Sequence, residues 1–134
     1  MPGADKLEVE RVVQLAWQVS AAVFSGQVTA IEYVPAGDAA NKALEVQVVR
    51  VATGSWWRGV TAAEVTLYTN NYRNADGTRS REAHEFDYEV GKNYLIYAAI
   101  ERGQLHASKC SRTRPLAAAA ADIAVLDELQ SAAN

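Results

Sequence analysis

Cysteine is almost missing from this sequence. Cys110 is the only one in 134 residues, so it has no partner for an intrachain disulfide. Small domains without an adequate core are usually held together by several disulfides. Hydrophobic residues make up 49% of this chain, which is long enough to bury a core of its own. We therefore expect a single disulfide-free domain that spans residues 1–134.

Long apolar runs are also missing. No stretch approaches the roughly 18 apolar residues that a membrane-spanning helix needs. The best candidate for a signal peptide is the stretch from Val12 to Phe24. It follows acidic residues and is interrupted by two glutamines, whereas a secretory signal has a basic start and an apolar centre. The sequence predicts neither a membrane span nor a signal peptide within this chain.

An excess of positive charge is absent as well. The formal net charge is −3 at pH 7, and the isoelectric point is about 5.4. Dedicated nucleic-acid-binding domains usually carry a basic excess, because they bind a phosphate backbone. The charge balance therefore argues against nucleic acid as the main partner.

The sequence has few residues that could bind a metal or catalyse a reaction, and their spacing does not match known metal-binding or catalytic motifs. The imidazoles are His84 and His106, and on a straight strand His106 would lie roughly 13 Å from Cys110. No serine lies in a nucleophile-elbow motif, and no glycine-rich segment has phosphate-loop spacing. The acidic residues between 82 and 89 are typical of a solvated surface. We expect no metal, no cofactor and no enzymatic activity.

The periodicity of apolar residues predicts the order of helices and strands. Helical spacing predicts an amphipathic helix at residues 5–19. Strands are then predicted at residues 22–33, 44–49, 64–69, 93–100 and 104–110. Loops are expected at 53–55 and 70–85, and Pro115 introduces an alanine-rich C-terminal helix. This order predicts an α+β fold that is mainly β: a five-stranded antiparallel OB-like barrel with an N-terminal helix and a C-terminal helix.

A glycine interrupts the first predicted strand. Gly26 lies in its interior, where glycine commonly marks a bulge or a tight bend. Strict alternation along this strand places Phe24 and Val28 on one face and Ile31 on the other.

Aromatic and basic residues surround the third predicted strand. They form the candidate partner-binding set: Trp56, Trp57, Arg58, Tyr68, Tyr72, Arg73 and Arg79. OB-type barrels bind ligands by stacking them on such a face. Neighbours in an extended segment point to opposite sides, so either Trp56 or Trp57 would point away from the core and be available to a partner. The alternative is that the tryptophans are core or barrel-closing residues.

A series of short motifs resembles a known family. The motifs are Val23-Phe24-Ser25-Gly26-Gln27-Val28, Trp57-Arg58-Gly59, Val65-Thr66-Leu67-Tyr68-Thr69, Val90-Gly91-Lys92-Asn93-Tyr94-Leu95-Ile96-Tyr97-Ala98 and Cys110-Ser111-Arg112-Thr113. In this order they resemble the netrin-like domain in the bacterial relatives of the tissue inhibitors of metalloproteinases. The matching pieces are scattered over residues 23–126. The family-motif positions are Gly26, Cys110, Arg112 and Thr113.

The resemblance implies a binding or inhibitory module instead of an enzyme. It implies an OB-like barrel, a protein partner such as a protease, and an extracytoplasmic location that is periplasmic or secreted. In the animal inhibitors a cysteine at the mature N-terminus chelates the protease zinc. This chain begins Met1-Pro2 and has no cysteine before Cys110, so that mechanism cannot be carried over. Cys110 is expected to be an unpaired relic or free thiol, most simply a buried small residue.

Three functional hypotheses remain open at this stage. The first is a non-enzymatic protein-binding module whose contacts lie at Trp56, Trp57 and the loop 70–85. The second is an OB-barrel domain that binds an oligosaccharide or single-stranded nucleic acid through the same aromatic residues and arginines. The third is a structural or assembly domain that binds no small ligand.

Overall fold

The computed structural model describes residues 2–37, 43–80, 87–107 and 111–133. Its helices and strands are α1 (Pro2–Val19), β1 (Ala22–Pro35), β2 (Glu45–Arg58), β3 (Glu64–Arg73), β4 (Arg79–Ser80), β5 (Asn93–Glu101), β6 (Gln104–His106), β7 (Arg114–Pro115) and α2 (Ala120–Ala133), with a 3-10 helix at Leu116–Ala118. The predicted α+β class, mainly strands with a helix near each end, is confirmed. Neither of the two described α-helices is both long and apolar enough to cross a membrane.

The strands form one antiparallel sheet in the order β4-β3-β2-β1-β5-β6, and β7 pairs with β5. The sheet curls far enough to bring β6 into contact with β3. Among the described residues, no ladder of hydrogen bonds joins these two strands. The hydrogen-bonded sheet is therefore open at this seam, and the closed OB-like barrel stays a prediction.

The second strand is longer than the sequence suggested. A loop was expected at 53–55, but β2 continues through it because it pairs with β1 on both sides of this segment, with Thr53 opposite Gly26. The predicted loop is therefore wrong. A backbone that pairs along its whole length satisfies its hydrogen bonds despite weak local strand propensity.

The polar stretch 70–85 is only partly a loop. β3 continues to Arg73, where it pairs with Arg79 of β4, so the stretch contains two strand segments and a turn. The remainder of the predicted loop, residues 81–86, lies outside the described residues. The fifth predicted strand ends at His106, and its predicted end at Cys110 also lies outside the described residues.

The sheet carries a hydrophobic core on each face. One core fills the concave side, and its members include Phe24, Val49, Val51, Leu67, Tyr88, Tyr94 and Ile96. The other lies between the sheet and the two helices, and its members include Val13, Val23, Trp57, Leu95, Tyr97, Val125 and Leu126. Successive residues of a strand point to opposite faces, so β1 and β5 are apolar on both. Each large side chain buried in this way contributes roughly 1.5–3 kcal/mol.

Three register shifts interrupt the pairing of β1 with β2, and the first lies between Val23 and Phe24. The second lies at Gly26, where an added Cβ would meet Val51 Cγ1 and would lie 2.8 Å from the carbonyl oxygen of Ala52. The predicted irregularity at Gly26 is confirmed. The third lies between Val28 and Ala30, and it brings Ile31 against the same core as Val28. The prediction that these two residues lie on opposite faces is wrong, because a bulge reverses the alternation that follows it.

Candidate functional site

The two adjacent tryptophans pack into different cores. The ring of Trp56 stacks on Phe24 in the concave core, with centroids 4.7 Å apart. Trp57 is 8% exposed, lies in the helix-covered core and donates from Nε1 to Asp127 Oδ1 at 2.7 Å. The expectation that one of them points away from the core is wrong, because the sheet is covered on both faces. Trp56 is only half-buried and remains accessible in part.

Two other residues of the predicted set contact other elements: Arg58 contacts α1, and Tyr68 lies at the seam between β3 and β6. The Arg58 guanidinium lies 4.6 Å from the Trp17 ring centroid, and its Nε donates to the carbonyl oxygen of Ser20 at 2.8 Å. Arg58 therefore ties the end of β2 to α1. Tyr68 lies on β3 with its ring 6.4 Å from that of His106 on β6, at the seam of the sheet.

An apolar groove lies at the end of the sheet where β2 turns into β3. Its volume is about 420 Å³, and its lining includes Trp56, Val60, Val65, Ile100 and Leu105; we call it the Trp56 groove. Val60 is 90% exposed and Ile100 is 62% exposed. Nε1 of Trp56 is buried and has no hydrogen-bond acceptor among the described residues. The groove therefore combines exposed apolar side chains with a half-buried tryptophan ring.

Gly59 shapes one side of this groove. Its φ is 99°, in the left-handed region that favours glycine. A Cβ at this position would lie 3.1 Å from the carbonyl oxygen of Ala21 and 3.2 Å from Cβ of Ala22. The chain can therefore turn closely against the start of β1, and it presents Val60 to solvent immediately afterwards.

The opposite end of β3 carries a second group of predicted residues. Arg73 forms an ion pair with Glu45 at 2.7 Å, and its guanidinium lies 4.5 Å from the centroid of the Tyr33 ring. The Arg79 guanidinium lies 5.6 Å from the same centroid. Tyr72 pairs with Val46 of β2 and Ser80 of β4. At about 3.3 Å per residue, this end of β3 lies roughly 25 Å from the Trp56 groove, so the predicted set forms no single site.

A polar cavity of about 270 Å³ adjoins Tyr33; we call it the Tyr33 cavity. Its walls include Gln47, Asn71 and Arg79, and the buried Asn71 donates from Nδ2 to Gln47 Oε1 at 2.9 Å. Of the predicted set, only Arg79 lines it. Tyr33 was missed because the register of β1 against β2, which places it opposite Gln47, cannot be read from local patterns. The signal available in the sequence was an aromatic residue at the polar end of a strand.

The family-motif residues Arg112 and Thr113 have structural partners. Thr113 Oγ1 accepts a hydrogen bond from the backbone nitrogen of Tyr97 at 2.9 Å. Arg112 donates twice to Asp122, and the Tyr97 hydroxyl donates to Asp122 Oδ2 at 2.8 Å. These contacts hold the segment before α2 against β5. Gly26, the third motif position, is described above with β1. The fourth motif position is Cys110, which lies outside the described residues.

Burial and the nearby positive charges have opposite effects on the pKa of the Asp122 carboxyl. Burial raises the pKa of the Asp122 carboxyl, but hydrogen bonds from Arg112 and Tyr97 and the nearby arginine charges outweigh it, so the pKa is lowered. Burial, followed by the hydrogen bond to Asp122, raises the pKa of Tyr97. Asp122 is therefore an ionised structural anchor at neutral pH.

His106 is the histidine that the structure describes. Burial lowers its pKa, and the nearby charge of Glu101 opposes this effect. Neither ring nitrogen has a hydrogen-bond partner among the described residues, although Nδ1 lies 3.6 Å from Glu101 Oε2. The described part of the chain holds no cluster of three or more potential metal-ligating side chains. The other histidine, His84, lies outside the described residues.

In comparisons with known proteins, no family model and no curated sequence matched this chain. The netrin-like resemblance therefore rests on the sequence motifs, and the candidate sites rest on their geometry.

Proposed function

We propose that this chain is a non-enzymatic protein-binding module: a netrin-like domain with an OB-like barrel, resembling the tissue inhibitors of metalloproteinases. The observation that supports this proposal best is the Trp56 groove. It is the surface where exposed apolar side chains, Val60 and Ile100, surround a half-buried tryptophan.

Such a groove suits a protein partner. The centres of protein interfaces are apolar and rich in aromatic residues, and tryptophan is frequent among the residues that dominate the binding energy. Trp56 is only half-buried, so the exposed part of its ring is available for such contacts.

The family resemblance supports a protease as the first partner class to test and an extracytoplasmic location. Because no cysteine precedes Cys110, binding by zinc chelation is not part of this proposal. Contacts at the Trp56 groove take its place as the source of affinity.

A pair of matched variants tests the proposal. Val60→Asp places a charge beside the groove, and Val90→Asp makes the same change at another exposed position, which is 59% exposed in a turn before β5. Binding of both variants to metalloprotease catalytic domains and other extracytoplasmic proteins is measured by biolayer interferometry, with thermal unfolding as the check of folding. We expect Val60→Asp to weaken binding by about tenfold or more and Val90→Asp to have no effect. Unchanged binding of Val60→Asp to every identified partner would contradict the proposal.

The alternative function is an OB-barrel domain that binds an oligosaccharide or single-stranded nucleic acid. The polar Tyr33 cavity, with two arginines beside one aromatic ring, favours this alternative. Fluorescence anisotropy of dye-labelled oligonucleotides and oligosaccharides, titrated with the protein at low and high salt, distinguishes the two functions. No binding is expected for the protein-binding module, and binding, salt-sensitive for the oligonucleotides, would favour the alternative.

A further inference from the structure

The Tyr33 cavity has a wall that is rich in hydrogen-bond donors. Asn71 is 8% exposed and its Nδ2 donates to Gln47 Oε1 at 2.9 Å, which occupies the amide oxygen of Gln47. The Nε2 group of Gln47 keeps its hydrogens for another acceptor. Because Asn71 is buried, it holds the Gln47 amide in this orientation. The cavity therefore presents an amide donor in a fixed position.

Arg79 adds a cation to the same cavity. Arg73, its neighbour across the β3–β4 pair, is neutralised by Glu45. Arg79 has no carboxylate within ion-pair distance among the described residues, and its guanidinium lies 5.6 Å from the centroid of the Tyr33 ring. Guanidinium groups bind carboxylates through paired N–H donors, and such charge-assisted hydrogen bonds are stronger than neutral ones. Arg79, which has no ion-pair partner in the part of the chain that the structure describes, is therefore suited to bind an anionic group at this cavity.

Asp87 restricts the ligand further. It is the one carboxylate among the described residues that line the cavity, so it opposes an anion of high charge. A ligand with a single carboxylate at Arg79 meets less repulsion from Asp87 than a multiply charged anion would. Ile31 and Val49 provide the apolar part of the lining. The cavity, at about 270 Å³, has room for a group of the size of one sugar ring or one amino-acid side chain.

We propose that the Tyr33 cavity binds a carboxylate group, with Arg79 and Gln47 as its main ligands. The carboxylate belongs either to a small sugar acid or to an acidic side chain of a peptide. This site is separate from the Trp56 groove, so its test is independent of the test of the protein-binding function proposed above.

Nuclear magnetic resonance titration of the ¹⁵N-labelled full chain tests the site. The probes are two matched pairs: glucuronate with glucose, and the peptide acetyl-Gly-Glu-Gly-amide with its Gln counterpart. The signals followed are the side-chain amides of Gln47 and Asn71. We expect saturable shifts with glucuronate or with the Glu peptide, and binding at least about tenfold weaker for the neutral member of that pair. The tighter of the two acids identifies the source of the carboxylate.

Two variants and one control assign the binding to this site. Arg79→Gln is expected to weaken binding of the acid by about tenfold or more, and Arg11→Gln, an exposed arginine of α1, to leave it unchanged. Gln47→Glu keeps an acceptor for Asn71 and repels the ligand, so it is expected to abolish binding even if Arg79→Gln alters the fold. Equal binding of acid and neutral probes, absence of saturable shifts with both acids, or unchanged binding by Gln47→Glu would each overturn the proposal.

Discussion

Arg112 and Asp122 are joined by two hydrogen bonds, from Nε to Oδ2 at 2.9 Å and from Nη2 to Oδ1 at 2.7 Å. Asp122 is 1% exposed and lies in the first turn of α2, where a negative charge also interacts favourably with the helix dipole. The pair therefore anchors the C-terminal helix to the chain segment that precedes β7.

Removing the charge of Asp122 should destabilise the protein strongly. Asp122→Asn leaves Arg112 without its counter-charge in a partly buried position, and we expect a loss of about 3 kcal/mol in the free energy of unfolding. Tyr97→Phe removes one hydrogen bond to the same carboxylate and should cost about 1 kcal/mol. Urea unfolding monitored by circular dichroism measures both. Equal midpoints for Asp122→Asn and the wild type would show that the pair contributes no net stability.

The same carboxyl should make the protein sensitive to acid. Its pKa is lower in the folded state than the ordinary value of 3.8. Such a group contributes stability that is complete above the unfolded pKa and is lost as the pH falls through the folded pKa. We expect the free energy of unfolding to fall between about pH 5 and pH 2, and to fall less in Asp122→Asn. Urea titrations across this range test it, and parallel pH curves for the two proteins would contradict it.

Gly26 should not tolerate a side chain. Gly26→Ala would press its Cβ against Val51 and the backbone oxygen of Ala52, and we expect a loss of about 1–3 kcal/mol through overpacking. Gly54→Ala is the matched control on the paired strand. Its Cβ would lie 3.0 Å from Ser25 Oγ, which a small side-chain movement can relieve. Thermal unfolding compares the two, and a midpoint for Gly26→Ala as high as that of the control would contradict the prediction.

Trp57 should couple β2 to α2 through Asp127. The hydrogen bond between them is 2.7 Å long and has a carboxylate acceptor, for which a contribution of about 1.5–3 kcal/mol is typical. A double-mutant cycle of Trp57→Phe and Asp127→Ala separates this term from the lost ring volume. We expect a coupling energy of about 1 kcal/mol or more in urea unfolding. A coupling near zero would place the contribution of Trp57 in packing alone.

The spacing of apolar residues predicted structure best where a residue's conformation depends on its neighbours along the chain. The helical stripe near the N-terminus, the five main strands and the irregularity at Gly26 were all predicted from spacing and residue type. The loop predicted at 53–55 was wrong, because pairing with β1 overrides weak local strand propensity. The face of Ile31 was wrong for a related reason, since the bulge after Val28 depends on the partner strand.

In the candidate sites, too, local patterns pointed to residue types, whereas the fold decided which residues lie together. The sequence indicated that tryptophans and arginines near β3 were worth testing, but neighbours in sequence were separated by the fold: Trp56 lines the groove and Trp57 contacts α2. Tyr33 and Arg79 are far apart in sequence and meet beside one cavity. Strand register, which no local pattern encodes, brings them together.

By itself, the sequence determined a mainly β fold with a helix near each end and, with one cysteine, no intrachain disulfide, because periodicity and composition act within short segments of the chain. Only the tertiary structure decided that both faces of the sheet are covered, that Arg112 anchors α2 through Asp122, and that the two candidate sites lie at opposite ends of β3. These features depend on register, bulges and contacts between distant residues, which become defined only when the sheet is assembled.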